Sequence, residues 1–527
     1  MKLFRKIAFI ITGLVLLLIA LNVGLSYYIS KKLPSIIKGE KDFPYAFSYE
    51  NLDINLLSGS FTIQNAYLAP KGNMKTAMQE GAFAKIKKIE VNNFSLWAIL
   101  MHNHIKVKEV IIDSPDVVLY YRKEKYNTQD DFVKPFKNTI TTKKLSINNG
   151  TFKMLDSVQN PKLKAANINF VLNNIKIDST SLKNDIPVRY RDYSLKCDSL
   201  FFNTGPFYNI TAGSIATTDS ILTVTDFKYT PLQSRRQFNS MIAKEKDQFT
   251  VMADTISTQN LDWGYYNDTL YVHTPELVIQ KVNANVYRGK MVKDDPTRKK
   301  LYSELLRSLT FDLKVDTLLL KNSMVVYEEQ LEYERSPAKV SFSNFYATVT
   351  NIYSPILKDK LPPTNIDVKC LFMKSAPLSV NWTFNTLDTS DSFTITGILE
   401  NIKSQEINPV TKPLMNAATK GDIARVEFTF NANSERGKGD FAIKYDNLKV
   451  DVYKKDGKDK NGLMSAVGNL LVKNDSNDEL KKTHPEVERK KDKSVFNFLW
   501  RFVEQGLKET ILPKAVAKIA TKKKDKK

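Results

Sequence analysis

From Tyr45 onward apolar and polar residues alternate in short segments, and this two-residue period limits what the chain can fold into more than any other feature. Phe47, Tyr49, Leu52, Ile54 and Leu56 give way to Phe61, Ile63, Tyr67 and Leu68. Successive side chains of a strand point to opposite faces, so such segments place an apolar stripe on one side of a sheet and a polar stripe on the other. Ser58-Gly59, Lys71-Gly72, Ser114-Pro115, Asn149-Gly150, Gly205-Pro206 and Tyr266-Asn267-Asp268 separate the segments and read as turns. Only 19 Gly and 20 Pro interrupt a chain rich in Tyr, Phe, Thr, Val and Ile, a balance suited to pleated surfaces. The expected fold is mainly β, a long curved antiparallel sheet built from successive hairpins.

Three stretches echo one another: Ile105 to Tyr120, Leu145 to Met154 and Val315 to Tyr327, each read as strand, small turn, strand. Such repeats stack along one axis, so 527 residues need not divide into several compact cores. Curving the sheet makes the apolar stripe an open groove, whereas a sandwich or barrel closes it into a dry core, and the periodicity serves both. In the groove arrangement Val107, Ile111, Val315, Leu319, Val325 and Tyr327 are the candidate lining residues. Helical interruptions are expected at residues 296–309, where Leu301, Leu305, Leu306 and Leu309 fall at helical spacing, and at 410–419 before Gly421. Residues 474–493 are nearly devoid of apolar side chains and read as a solvated linker. The resulting division is an anchor (1–30), two parts of one sheet (31–295 and 296–473), the linker, and a final helix with a basic tail (494–527).

Ile7 to Ile29 forms an apolar run of about the twenty residues that span a bilayer. A cleaved signal peptide needs a shorter core and a small-residue cleavage site; Leu25, Tyr27 and Tyr28 disturb that pattern and suit an interfacial aromatic belt. An uncleaved transmembrane helix is therefore expected. Lys2, Arg5 and Lys6 precede it and Lys31, Lys32 and Lys38 follow, so the charge bias is slight, and the body is placed outside the cytoplasm. At the other end Ser494 can cap a helix in which Phe496, Leu499, Trp500, Val503, Leu507 and Ile511 recur at steps of three and four. Phe498 and Phe502 widen its apolar face, and Pro513 ends it. This amphipathic pattern serves a membrane interface, and it serves equally a helix docked on its own sheet.

The net charge of +21 points to an acidic partner. Its densest clusters, among them residues 489–493 and 522–527, flank the two hydrophobic ends, which favours anionic lipid over nucleic acid; no nucleic-acid-binding motif accompanies the charge. Cys197 and Cys370 lack the spacing of a redox or metal motif and read as two separate buried thiols, although an oxidising compartment would permit pairing. His102 and His104 are two residues apart with no Cys or carboxylate cluster beside them, so surface histidines are expected rather than metal ligands. No GxSxG, Walker loop, HExxH or clustered His and carboxylate constellation occurs, so neither catalysis nor a cofactor is expected.

The span followed by Tyr45 to Leu68 resembles the opening of the AsmA-like family. Gly397 to Ile402, Ile407 to Val410, Gly421 to Phe430 and Gly439 to Val450 are similar to that family's carboxyl-terminal pattern. The resemblance carries no catalytic motif. It implies an inner-membrane anchor in a diderm bacterium, a periplasmic β-groove related to bridge-type lipid transfer proteins, and a role in outer-membrane biogenesis that involves phospholipid. The rival function is a non-enzymatic scaffold for envelope proteins, acting through exposed strand edges. A continuous apolar face separates the two.

Overall fold

A computed structural model describes residues 45–511, apart from 56–58, 72–80, 96–103, 121–138, 182–185, 187, 357 and 454–474. The span expected over Ile7 to Ile29 and the tail after Ile511 lie outside the described residues. Among the described residues no helix is long and apolar enough to cross a membrane. The chain forms two compact units, and the division falls after Phe227.

In the first unit β1 (Tyr45–Ser48) and β2 (Asn51–Asn55) both pair with β3 (Ser60–Pro70). The sheet continues through β4 (Ala82–Phe94), β5 (His104–Tyr120), β6 (Thr139–Leu155) and β7 (Pro161–Ile177). Four short strands complete it: β8 (Asp192–Cys197) and β9 (Ser199–Asn203) pair with successive halves of β7, and are joined in turn by β11 (Ser214–Thr218) and β10 (Tyr208–Ala212). Strand β12 (Ile221–Pro231), which runs on past Phe227, pairs with β11 through Leu222 to Thr225.

In the second unit β13 (Asp247–Gln259) pairs with both β15 (Thr269–Gln280) and β16 (Asn283–Gly289), and β14 (Asp262–Tyr266) pairs with β15. Both β15 and β16 run parallel to β17 (Asp312–Gln330). An antiparallel meander follows: β18 (Ala338–Tyr353), β19 (Thr364–Phe372), β20 (Ala376–Phe384), β21 (Phe393–Lys403), β22 (Ala417–Ala432) and β23 (Arg436–Val452). Strands β24 (Lys481–Thr483) and β25 (Glu486–Glu488) lie on the edge of β23. Among the described residues four α-helices interrupt the strands: α1 (Arg235–Met241), α2 (Tyr302–Arg307), α3 (Asn408–Met415) and α4 (Val495–Ile511). The two internal helices read from sequence correspond to α2 and, two residues early, to α3.

The fold is mainly β as expected, but its pairing is mixed rather than wholly antiparallel. Strand β5 runs parallel to β6, and the two strands before β17 run parallel to it. Parallel neighbours need a crossover of a dozen residues or more. Residues 121–138 separate β5 from β6, and residues 290–311, which include α2, separate β16 from β17.

The Ser114-Pro115 and Asn149-Gly150 pairs are not turns. Both lie inside long strands, where Ser114 and Asn149 adopt the left-handed conformation at φ 50° and 54°. Asn65 in β3 and Asn167 in β7 do the same at φ 50°, and the registers set all four in one line across the sheet. A left-handed residue kinks the strand and reverses the alternation of its side chains, and where the register to the partner also shifts, as between Ile147 and Gly150, the kink is a bulge. Phe61 and Ile63 before Asn65, and Ala66 and Leu68 after it, therefore share one buried face. The three echoing stretches now align: Ser114, Asn149 and Asn322, the last at φ 52°, each stand at a left-handed kink inside one continuous strand, and at Asn149 and Asn322 the register to the next strand shifts as well. By contrast Asn267 and Asp268, both with positive φ, form the two-residue β14–β15 hairpin read from sequence. In β22 the bulge falls at Gly421, φ 108°, where a Cβ would stand 2.4 Å from the Asn447 carbonyl oxygen.

The first unit buries its apolar face thoroughly: Ile63, Ile89 and Ile140 have no exposed surface. If the left-handed residues set the bends, Asn149→Val should destabilise this unit by roughly 1–2 kcal/mol, the cost of a Cβ-branched residue in that conformation. Asn149→Gly should leave stability nearly unchanged. Denaturant midpoints of the two variants check this, and equal losses would mean that the asparagine side chain rather than backbone conformation is what matters.

Candidate functional site

The most extended apolar surface lies on one face of the second unit. Directly paired residues carry a row across nine strands: Ile256, Ile279, Leu320, Ala347, Val368, Val380, Gly397, Phe428 and Phe441. The adjacent row is Thr258, Leu277, Leu318, Val349, Ile366, Trp382, Ile395, Phe430 and Gly439. On the other face, one residue along, stand Ser257, Val278, Leu319, Thr348, Asp367, Asn381, Thr396, Thr429 and Asp440. One face is thus apolar throughout apart from Thr258, and the other is largely polar.

This apolar face is not sealed along its length. Ile256, Ile279, Leu320, Val368, Val380, Leu318, Val349 and Ile366 remain half-buried. Toward β21–β23 a second layer covers it. Phe498 of α4 meets Phe430 edge-on and Phe502 lies tilted against it, with ring centroids 5.0 and 4.5 Å apart, and Phe441 packs against Gly506. Trp382 touches Tyr302 of α2 at 5.0 Å and Phe496 of α4 at 6.3 Å.

The six candidate lining residues do not share one environment. Val325 and Tyr327 pair with Phe342 and Val340 on the half-buried apolar face, and Phe342 in turn contacts Phe372. The Tyr327 hydroxyl donates to Glu329 at 3.0 Å; burial, reinforced by that carboxylate, pushes its pKa well above the ordinary phenol value. Leu319 lies on the opposite, polar face between Val278 and Thr348. Val315 is buried beside Thr274 and Ile352. In the first unit Val107 belongs to the closed core, and Ile111 sits between Glu90 and Ser146 on the face opposite Val110 and Ile112. The bulges shift which residues face inward, and those shifts do not show in a simple count by twos.

Helix α4 starts as read: the Ser494 hydroxyl accepts from the Asn497 amide at 3.3 Å. It docks on its own sheet through Val495, Phe498, Phe502, Gly506 and Thr510, while Leu499, Val503, Leu507 and Ile511 pack partly against the same core. Phe496 and Trp500 stay 60% and 47% exposed. The polar flank of the helix faces the sheet edge, where Arg501 donates to the Glu488 carbonyl and Thr483 to Glu509.

The described part of the stretch read as a solvated linker, residues 475–493, is ordered and pinned. Besides β24 and β25, it buries Val487 and Arg489. The Lys299 amide donates to the Lys491 carbonyl at 2.7 Å, and the Arg489 guanidinium donates to the Lys299 carbonyl. The Lys493 ammonium lies 3.1 Å from Asp294 and 3.4 Å from Glu245. Burial opposes its charge, but these carboxylates outweigh that and raise its pKa above the usual lysine value. Of the two short edge strands only β25 buries a side chain, Val487, so they leave little apolar signal in sequence.

Against the polar face of β19–β23 lies an open cavity of about 650 Å³, whose walls combine Asp367, Lys369, Glu427, Asp440 and His484 with Ile398. A second, of about 680 Å³, is bordered by Thr383, Asn385, Thr394, Asn431 and Lys438. Both mix polar and apolar lining: Val368, Val380 and Phe428 also border the first, and Phe384 and Phe393 the second. His104 hydrogen-bonds Thr141 at 2.8 Å, and His102 lies outside the described residues. Cys197 and Cys370 are buried and unbonded, and burial pushes the Cys370 thiol up to about 11. Among the described residues no His, Cys, Asp and Glu group is arranged to hold a metal. Compared with known proteins, the chain matches no family model and no curated sequence.

A Cβ at Gly506 would stand 2.3 Å from Phe441 Cγ, so Gly506→Val should lift α4 from the sheet. Phe502→Ala, at a fully buried ring, should cost about 3–5 kcal/mol, and Trp500→Ser within about 0.5 kcal/mol. Limited proteolysis after Ser494 together with denaturant unfolding measures this; equal sensitivity of all three variants would contradict the docking geometry.

Proposed function

We propose that this chain is a non-enzymatic, AsmA-like envelope protein whose second unit holds phospholipid acyl chains on its apolar face. The observation that carries the reading is the unsealed row from Ile256 to Phe428, apolar across eight strands and half-buried at most positions. Exposed apolar surfaces of this extent mark binding sites for apolar partners. Transfer of a chain onto such a surface gains about 0.8 kcal/mol per buried methylene, and the scarcity of fixed polar groups along the row lets a chain slide rather than lock in one register. Ile7 to Ile29 supplies the membrane anchor, with the body in the periplasm; the resemblance and the apolar run support this part of the reading.

Neighbouring positions on opposite faces supply an internal control. Photoreactive residues placed at Leu320 and Val380 should crosslink phospholipid in cells, and the same residues at Leu319 and Asn381 should not. Leu320→Asp should abolish labelling at Val380, because the carboxylate must be desolvated or admit water, a penalty of several kcal/mol. Leu319→Asp should be tolerated. Equal labelling of the two faces, or none, would sink the lipid reading and leave a scaffold acting through strand edges. Mass spectrometry of the mature protein tests the anchor: the expected amino terminus precedes Ile7, and one after Ser26 or Ser30 would show cleavage.

A further inference from the structure

We propose that the outer flank of α4, with Tyr302 of α2 beside it, docks on the headgroup layer of an anionic bilayer. The inference leans on the acyl-chain reading only for the purpose of the contact, which would put a membrane next to the uncovered apolar face. Helix α4 has three sides. One packs on the sheet through Phe498 and Phe502, the second reaches β24 and β25 through Arg501 and Glu509, and the third presents Phe496 and Trp500. Phe496 and the 37%-exposed Tyr302 both touch Trp382, so these rings adjoin the apolar face rather than standing apart from it.

Charge selects the occupant. Residues 512–527, which follow α4 directly, carry seven Lys and one Asp. An amphipathic helix with aromatic residues on its free side and a polybasic segment at its end provides the two signals that stable surface binding needs. Tyr and Trp prefer the bilayer interface, where an apolar ring and a polar tip are both accommodated. A second copy of this chain is a poor alternative, since a net charge of +21 brings the same lysines to meet their equals.

The test uses the full chain in proteoliposomes, with an environment-sensitive dye on Trp500→Cys; Cys197 and Cys370 are buried and should not label. In vesicles of phosphatidylcholine with phosphatidylglycerol the dye should shift to the blue and be quenched by brominated lipid. In pure phosphatidylcholine it should remain in water, as should a dye on Tyr266→Cys in either vesicle. Each lysine near an anionic surface favours partitioning about fivefold. Replacing Lys522, Lys523, Lys524, Lys526 and Lys527 by Gln should therefore remove most of the shift, as should high salt. A dye that stays in water in both vesicles, or is quenched equally in both, would overturn the proposal. The crosslinking contrast between Leu320 and Leu319 is read separately, so loss of docking and loss of acyl-chain binding are distinguishable.

Discussion

The second unit depends on one constraint, that side chains paired directly across neighbouring strands share a face. Nine strands obey it without a break from Ile256 to Phe441, so a single register choice fixes the chemistry of both faces together. A one-residue slip in β19 would exchange Val368 for Asp367 and place a carboxylate in the apolar row. Strands as long as the nineteen residues of β17 meet this constraint only with bends, because a regular strand twists steadily. Left-handed residues at Asn322 and Asn344 supply the bend, and on each strand the apolar side chains resume on the same face.

The bulges also explain what could be read from sequence and what could not. Two-residue periodicity marks the strands, turn residues the Asn267-Asp268 hairpin, and helical spacing α2 and the start of α4, all of which rest on local signals. Asn149-Gly150 was misread because an asparagine in the left-handed conformation looks the same in a hairpin and in a bulge; only the partner strand tells them apart. Leu319 and Val325 fall on opposite faces for a related reason, since counting by twos fails across the residue inserted at Asn322. The parallel pairings are set by crossovers whose path leaves no mark in the strands themselves.

Burial of the 475–493 segment was invisible for a different reason. Its strands are three residues long, and its stability comes from contacts far away in sequence, between Lys493 and Glu245 or Arg489 and Lys299. The helix was half legible: the cap at Ser494 and the apolar spacing were evident, but the choice of Phe498 and Phe502 as the buried side depends on Phe430 and Phe441, which lie on separate strands. Sequence reading thus gave two apolar sides to one helix without ranking them.

The edge of β23 has an implication for biosynthesis. Its unpaired backbone groups are satisfied at one end by Lys481–Thr483 and Glu486–Glu488, and the aromatic face beside it is roofed by α4. All of these follow β23 in the chain, so a ribosome delivers the sheet before its cover. During that interval a hydrogen-bonding rim and the rings of Phe430 and Phe441 are open together, the combination that invites strand addition from another nascent chain. Holding factors that engage emerging polypeptides would find their substrate at this stage of translation, and the lag between residues 452 and 511 sets how long the vulnerability lasts.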